Sequence, residues 1–592
     1  MKGEGLRQSM SWLHGWEGLL LGWLLFAIFL TGTVAYFRTE VTAWMQPETA
    51  ASKPSPLAAE IGLAKLAEVA PEARTWTVNL PTDRSNVVRV SWPRAERAER
   101  GEGGRQRAQA GPRREPETME AGRRGGREWA GRSGTAEQQS RRGSGRGGGG
   151  GRRGGESLTL DATTGAVLHP RQTAGGNFLY RFHFELYALP RDWARWIVGI
   201  ATMAMFVAIL SGIITHKKIF RDFFTFRPGK GQRSWLDMHN ATAVFALPFH
   251  IMITFSGLLL FASTLLPWSS QAMFGDDPRG GRGAERAAEA RQADAAPRKR
   301  GSAEGGAWLA PVQPMLAEAQ RRWDQPVSRI VIERPGRPGA TVELWPTRND
   351  SLAQQSGSGG LGDVKLRFDA ATGEVQGEER RKNGSVIAAV DTALGSVHRA
   401  RFAPPGLRWL FFLSGVAGTV MVGSGLVLWS IKRAEKSRAA GLSFGHRVVD
   451  HLNVGGIAGL CVATGAYFWA NRLLPVGIEG RGEREIQIFF LIWFATFIHP
   501  LARPLRRAWI EQLVAAGLLF ALIPLLNLVT SRAHLGVTIP AGNWIVAGFD
   551  LVAGLTGMAL LFTAWRLTRH RGRTRTGRAP CVNPVREAEA AA

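Results

Sequence analysis

Residues 234–262, SWLDMHNATAVFALPFHIMITFSGLLLFA, decide how the rest of the chain is read. The stretch is apolar over the length of a bilayer, yet it carries His239 and His250. On one helix, eleven residues of separation put both rings on a single face, roughly 16 Å apart along the axis at about 1.5 Å per residue. Ionisable side chains at membrane depth are costly and point to function, and imidazole is an axial ligand for haem iron. Two readings stay open on spacing alone. Either each histidine serves one of two stacked haems, or one is interfacial and the other hydrogen-bonds a neighbouring helix.

Around this stretch, apolar runs of spanning length cover 16–37, 193–215, 236–265, 407–430, 448–470, 486–501, 508–530 and 542–566. They predict an all-α polytopic membrane protein of about eight transmembrane helices. The first run follows Lys2 and Arg7, is longer than a signal-peptide core and lacks a small-residue cleavage site, so it reads as an uncleaved span. The short basic connections 216–233, 431–438 and 503–507 and the tail 567–592 all fall on one side. By the positive-inside rule that side is cytoplasmic, with both termini, and the long loops 38–192 and 266–406 lie outside.

The formal charge of +26 does not indicate a nucleic-acid binder. Much of it sits in the flanks and in two low-complexity insertions, 94–153 and 275–305; the first alone has 16 Arg against 8 Glu. No aromatic-rich basic fold accompanies it. Cys461 and Cys581 form neither a disulfide framework nor a covalent haem-attachment site, so any haem is held non-covalently.

Each long loop contains one small module. In the first, 57–71 has helical spacing, TWTVNL and NVVRVSW alternate like strands, and ESLTLDATTGAVL turns at Thr164 and Gly165. The second repeats the plan with WLAPVQPMLAEAQRRW, SRIVIER, ATVELWP and VKLRFDAATGEVQ. The shared Asp-Ala-x-Thr-Gly, at Asp161–Gly165 and Asp369–Gly373, marks the modules as copies. The spans repeat too: His14 to Gly32 and His239 to Gly257 are both eighteen residues, and His183 matches His398 ahead of spans two and four. The core is thus a duplicated unit of span, outer module, histidine and span, divided as 1–37, 38–192, 193–265, 266–406, 407–430 and a further set of spans in 431–566.

Six histidines gain positional meaning from this. His14, His216 and His239 lie at the inner ends of spans, His183 and His398 just outside spans two and four, and His250 within span three. Two clusters at two depths suit an electron path across a membrane. An inner site would join His239 with His14 or His216, and an outer site His250 with His183 or His398. If the duplication is also a spatial two-fold, His14 pairs with His239 and His183 with His398. Pro248 would loosen the helix beside His250 or is simply tolerated there. Asp550 is an intramembrane acid whose expected role is a helix-to-helix hydrogen bond. Arg181, Lys217 and Arg399 flank candidate ligands and would meet haem propionates or serve as interfacial cations.

WLHGWEGLLLG, DATTG and DAATG, FHFELY, SGIITHKKIFRDFF, WLDMHNATAVFALPFHIMITFSGL and RWLFFLSGVAGTVMVGSGLVLW together resemble the PepSY-associated transmembrane family over residues 11 to about 430. The resemblance implies a bacterial inner-membrane protein with two small α+β PepSY-like modules in the extracytoplasmic loops. It is similar to haem-b ferric-siderophore reductases, which implies two haems b, a ferric-siderophore or other ferric chelate as substrate, and His14, His183, His216, His239, His250 and His398 as ligand candidates. No nucleotide or flavin motif is present, so the electron donor would be a separate cytoplasmic protein or a quinol. One departure is Val397-His398-Arg399-Ala400, where the family signature usually reads Leu-His-Phe-Gly. PepSY modules also resemble peptide-binding domains, so the alternative is a membrane-anchored protease regulator or sensor without redox activity; an iron permease using histidine and Asp550 is a third.

Overall fold

The computed structural model describes residues 5–93, 155–215, 227, 231–266, 308–347, 364–380, 386–400, 402–436, 441 and 443–569. The insertions 94–153 and 275–305, His216, Lys217 and almost all of the tail lie outside the described residues. Helices α1 (Leu6–Leu20) and α2 (Gly22–Ala35) form the first apolar element, followed by the short α3 (Arg38–Met45). The first module contributes α4 (Ala58–Val69); α5 (Gly175–Glu185) then leads into α6 (Arg191–Thr215). In the second half come α7 (Gln232–Phe245) and α8 (Leu247–Leu260), the module helix α9 (Val312–Trp323), α10 (Val386–Arg399) and α11 (Pro405–Lys436). The remaining helices are α12 (Phe444–Asn453), α13 (Gly459–Leu473), α14 (Arg481–Ile498), α15 (Leu505–Ala521), α16 (Ile523–Thr530) and α17 (Trp544–Arg569).

Four of these helical stretches are long and apolar enough to cross a membrane, or up to seven if each bent pair counts as one span. The chain is a membrane protein. α14 is the expected segment outside that set: its head carries Arg481, Glu483, Arg484 and Glu485, which leaves an apolar part shorter than the roughly 20 residues of a full crossing. A π-helical turn, Val454–Ala458, joins α12 to α13.

The first and third spans are bent by 67° and 69°, at Leu21 and Ala246. Offset by the same spacing that maps His14 onto His239, these are the same position. Pro248 follows only the second bend; Trp23 stands in its place in the first copy. The bend therefore belongs to the duplicated architecture, and proline is not its cause.

The two modules merge into one eight-stranded antiparallel sheet, ordered β4-β3-β2-β1-β5-β6-β7-β8. The strands are β1 (Thr75–Asn79), β2 (Val87–Pro93), β3 (Gly155–Asp161), β4 (Val167–Leu168), β5 (Val327–Glu333), β6 (Thr341–Pro346), β7 (Val364–Asp369) and β8 (Val375–Arg380). The copies meet at β1 and β5, where Thr77 pairs with Val331 and Asn79 with Arg329. Period-two alternation sends Trp76, Val78, Val88, Val90, Ile330, Ile332, Val342 and Leu344 to one face, where α4 and α9 cover them with Leu63, Leu66, Met315 and Trp323. The opposite face is polar. On it the buried Glu343 binds Lys365 and Arg367 at 2.8 Å each; burial alone would raise its carboxyl, and these two cations hold it below the ordinary value. Both Asp-Ala-x-Thr-Gly turns adopt one geometry. Asp161 Oδ1 accepts from the amides of Thr163 and Thr164, and Asp369 Oδ1 from those of Ala371 and Thr372. Gly165 and Gly373 both take φ +73°, which favours glycine.

Candidate functional site

The chain brings its histidines together in two places, both between the duplicated halves. His14 on α1 faces His239 on α7 with ring centres 6.2 Å apart and planes at 75°. His183 on α5 faces His398 on α10, also at 6.2 Å, with planes at 40°. The two pairs sit at different depths. Along α6, Thr202 lies level with Gly257 and His398, whereas Ala208 to Gly212 hold His14; six to ten residues of helix correspond to about 9–15 Å.

Each ring is fixed the same way. His14 Nδ1 donates to the Ala208 carbonyl at 2.9 Å, and His239 Nδ1 to the Met421 carbonyl at 2.8 Å. His183 Nδ1 donates to the Ile28 carbonyl at 2.8 Å. His398 Nδ1 donates to Ser256 Oγ at 3.0 Å, whose own proton goes to the Met252 carbonyl. A carbonyl only accepts, so in His14, His183 and His239 the proton sits on Nδ1 and Nε2 keeps its lone pair. An imidazole oriented through Nδ1–H by a backbone oxygen is the usual second layer of a metal-binding histidine.

Glycine makes room for each ring. A Cβ on Gly212 would stand 3.3 Å from His14 Cε1, on Gly425 3.1 Å from His239 Cε1, on Gly257 3.2 Å from His398 Cε1, and on Gly32 only 2.6 Å from His183 Cε1. Gly32 and Gly257 are the glycines that follow Thr31 and Ser256, and Gly212 and Gly425 follow Ser211 and Ser424. These Ser/Thr-Gly pairs are visible in the sequence as landmarks of the duplication. Their role as seats for the rings becomes legible only once the helices are packed.

The arrangement suits a planar macrocycle better than a bare cation. Two imidazoles with ring centres 6.2 Å apart in both pairs would leave room for a metal held by one nitrogen of each ring, at about 2 Å per bond. Among the described residues, no group of three or more His, Cys, Asp or Glu side chains could hold a metal ion. A group that brings its own four equatorial nitrogens needs only two axial ones. The four rings are partly exposed and border accessible space.

His250 stands apart. It is fully buried, packs edge-on against Phe29 and beside Phe249, and meets no other histidine ring among the described residues. The backbones of Ser414 and Ala243 flank it, yet neither nitrogen closes a hydrogen bond of normal geometry. His446 stacks on Trp429, His451 bonds the Arg447 carbonyl and His499 bonds Glu511; none of them joins a pair. Arg181 pairs with Glu185, and Arg399 donates to the Gly395 carbonyl.

Helices α12 to α17 brace the His183 side. Glu485 accepts from Thr173 Oγ1 and Asn471 Nδ2, and pairs with Arg481, both ions being fully buried. Arg481 also donates to the Gln172 carbonyl, and Arg171 ties Glu48 to the Asn471 carbonyl. Tyr467 Oη donates to the Gly175 carbonyl, while Phe178 and Phe182 of α5 pack on Phe489 and Phe490. Asp550 accepts from Trp44 Nε1 at 2.7 Å and from Asn527 Nδ2 at 2.8 Å, the helix-to-helix role expected for it. Arg481 and Glu485 sit four apart at the head of an apolar run, a signal that the sequence carries openly and that the histidine-centred reading passed over.

Two copies of a span–module–span unit, with paired imidazoles between the copies and a shared sheet on one side, define a polytopic membrane protein with two built histidine sites. The family model described as PepSY-associated TM region matches residues 11–432, more than half of the chain, and the chain belongs to that family. All four paired histidines lie within the match, whereas α12 to α17 lie beyond it. No curated protein matches the chain.

Proposed function

We propose that this protein carries electrons across a bacterial inner membrane and reduces a ferric chelate on the side of the β-sheet, with His14 and His239 holding one haem b and His183 and His398 a second. The carrying observation is the duplicated pair geometry: two depths, one ring spacing, and Nδ1–H anchored on a neighbouring helix in all four. A haem bound at each pair supplies a one-electron carrier at that depth. The chain's own residues do the rest. Three backbone carbonyls and the Ser256 hydroxyl fix ring orientation, the facing glycines admit the rings to the helix surfaces, and the apolar helices exclude water between the levels. The positive-inside rule, applied to the short basic connections, supports a cytoplasmic His14 end, where a separate donor protein or a quinol would deliver electrons, and a periplasmic sheet.

The test uses proteoliposomes with a reductant trapped inside and ferric citrate outside. Ferrous iron, read by an impermeant ferrous-specific dye, is expected only with haem-loaded protein. Haems that become reduced while external iron stays ferric would refute the ferric-chelate reading.

Gly32→Ala is a local probe of the sheet-side pair. Its Cβ would force the His183 ring off the Ile28 carbonyl, so about half of the bound haem is expected to be lost. Gly212→Ala, where the added Cβ meets His14 at 3.3 Å, is expected to retain both. Equal haem in the two variants would contradict the assignment.

A further inference from the structure

A cavity of about 220 Å³ opens between α3, the start of β2, α5 and the head of α17. We infer that this cavity docks a small anionic ferric chelate of the polycarboxylate class through the Arg89 guanidinium; the inference rests on the reductase function proposed above.

The lining includes Arg38, Arg84 and Arg89 with the amides of Asn86, Asn177 and Asn543, and no carboxylate. Two of the arginines are engaged. Arg84 forms a two-pronged pair with Glu40 at 2.8 and 2.7 Å, and Arg38 lies 4.6 Å over the Tyr180 ring. Arg89 projects from the polar face of the sheet, directly opposite Thr159 on β3 and Asn79 on β1. Arg89 is exposed as a residue, and its guanidinium makes no ion pair or hydrogen bond among the described residues. The Asn177 amide, also exposed, is likewise uncommitted. A planar fork of donors with no internal acceptor among the described residues, in a lining that has an uncommitted amide and no carboxylate, is suited to two-pronged recognition of a carboxylate.

Size and position narrow the ligand. The volume falls below the roughly 300–1,000 Å³ of pockets that enclose drug-sized molecules. It therefore suits a small iron–carboxylate complex, or the carboxylate arm of a larger chelator. Asn177 and His183 share α5, six residues and about 9 Å apart along its axis. The head of α5 is seated on α3 by Gly176, whose missing side chain lets it lie against the Arg38 backbone. A chelate held here lies beside the helix that carries the sheet-side histidine pair.

The experiment uses full-length protein in nanodiscs of zwitterionic lipid and titrates gallium citrate, a redox-inert counterpart of ferric citrate, by calorimetry. Wild type is expected to bind, and Arg89→Gln to weaken binding about tenfold, the effect of losing one charge-assisted pair. Haem bands are expected to stay unchanged in that variant. Arg89→Lys is expected to fall between the two. Gallium citrate binding that is absent in wild type, or unchanged by Arg89→Gln, would overturn the inference. So would nanodiscs of anionic lipid abolishing the wild-type binding, because the cavity would then be a headgroup site. Failure of the reductase reading looks different: the haem bands themselves would be missing, whatever gallium citrate does.

Discussion

His239→Ala, expressed with ample haem, is expected to lose one of two haems and to keep the other with its spectrum intact; His398→Ala is expected to do the reverse. The ring geometry distinguishes the two losses. The His14 and His239 planes stand at 75° and those of His183 and His398 at 40°; a low-spin ferric haem held by the first pair would be expected to give the more anisotropic signal, and one held by the second the more rhombic. His239→Ala should therefore remove the more anisotropic signal by electron paramagnetic resonance, and His398→Ala the more rhombic one. His250→Ala is expected to retain both signals, since His250 has no facing histidine among the described residues. Loss of the same signal from both pair variants would show that the pairs are wrongly composed.

Glu485→Ala is expected to produce the largest loss of stability from any single substitution outside the histidines. Arg481 and Glu485 are fully buried, and the carboxylate gathers Thr173, Asn471 and the Ala174 amide. Removing one member of a buried pair leaves the other charge uncompensated, at about 3–5 kcal/mol. The same residues fix the chain just ahead of α5, so the damage should be directional: on heating, the His183–His398 haem is expected to be released before the His14–His239 haem. The double variant Arg481→Met/Glu485→Leu, which removes both charges, is expected to recover much of the loss. Unfolding of Glu485→Ala at the wild-type midpoint would show that α12 to α17 do not brace the site.

The facing of His14 with His239 and of His183 with His398 was legible only on the condition of a spatial two-fold, from the eighteen residues that separate His14 from Gly32 and His239 from Gly257; the outer site expected to include His250 does not form among the described residues. His250 was less legible, since its place on the same helix face as His239 says nothing about what stands opposite. Phe29 and Gly418 occupy that position, and they come from spans far away in the chain. The merged sheet was hidden for a related reason. Strand alternation reports which side chains face a core, but β1 and β5 join through backbone hydrogen bonds between segments some 250 residues apart, and no periodicity encodes that register. The bends at Leu21 and Ala246 had one visible cue, Pro248, and it misleads, because the copy without proline bends by as much. The charged head of α14 was readable as a span with costly ions. Its partners Gln172, Thr173 and the Ala174 amide sit in the linker ahead of α5, so its role as a brace appears only in the packed chain.

If the two histidine pairs hold two haems, the haem-to-protein ratio of the purified full-length chain, determined from pyridine-haemochrome absorbance against amino-acid analysis, is expected to be two b-type haems per chain. A ratio of one, or no Soret absorption after expression with ample haem, would contradict it.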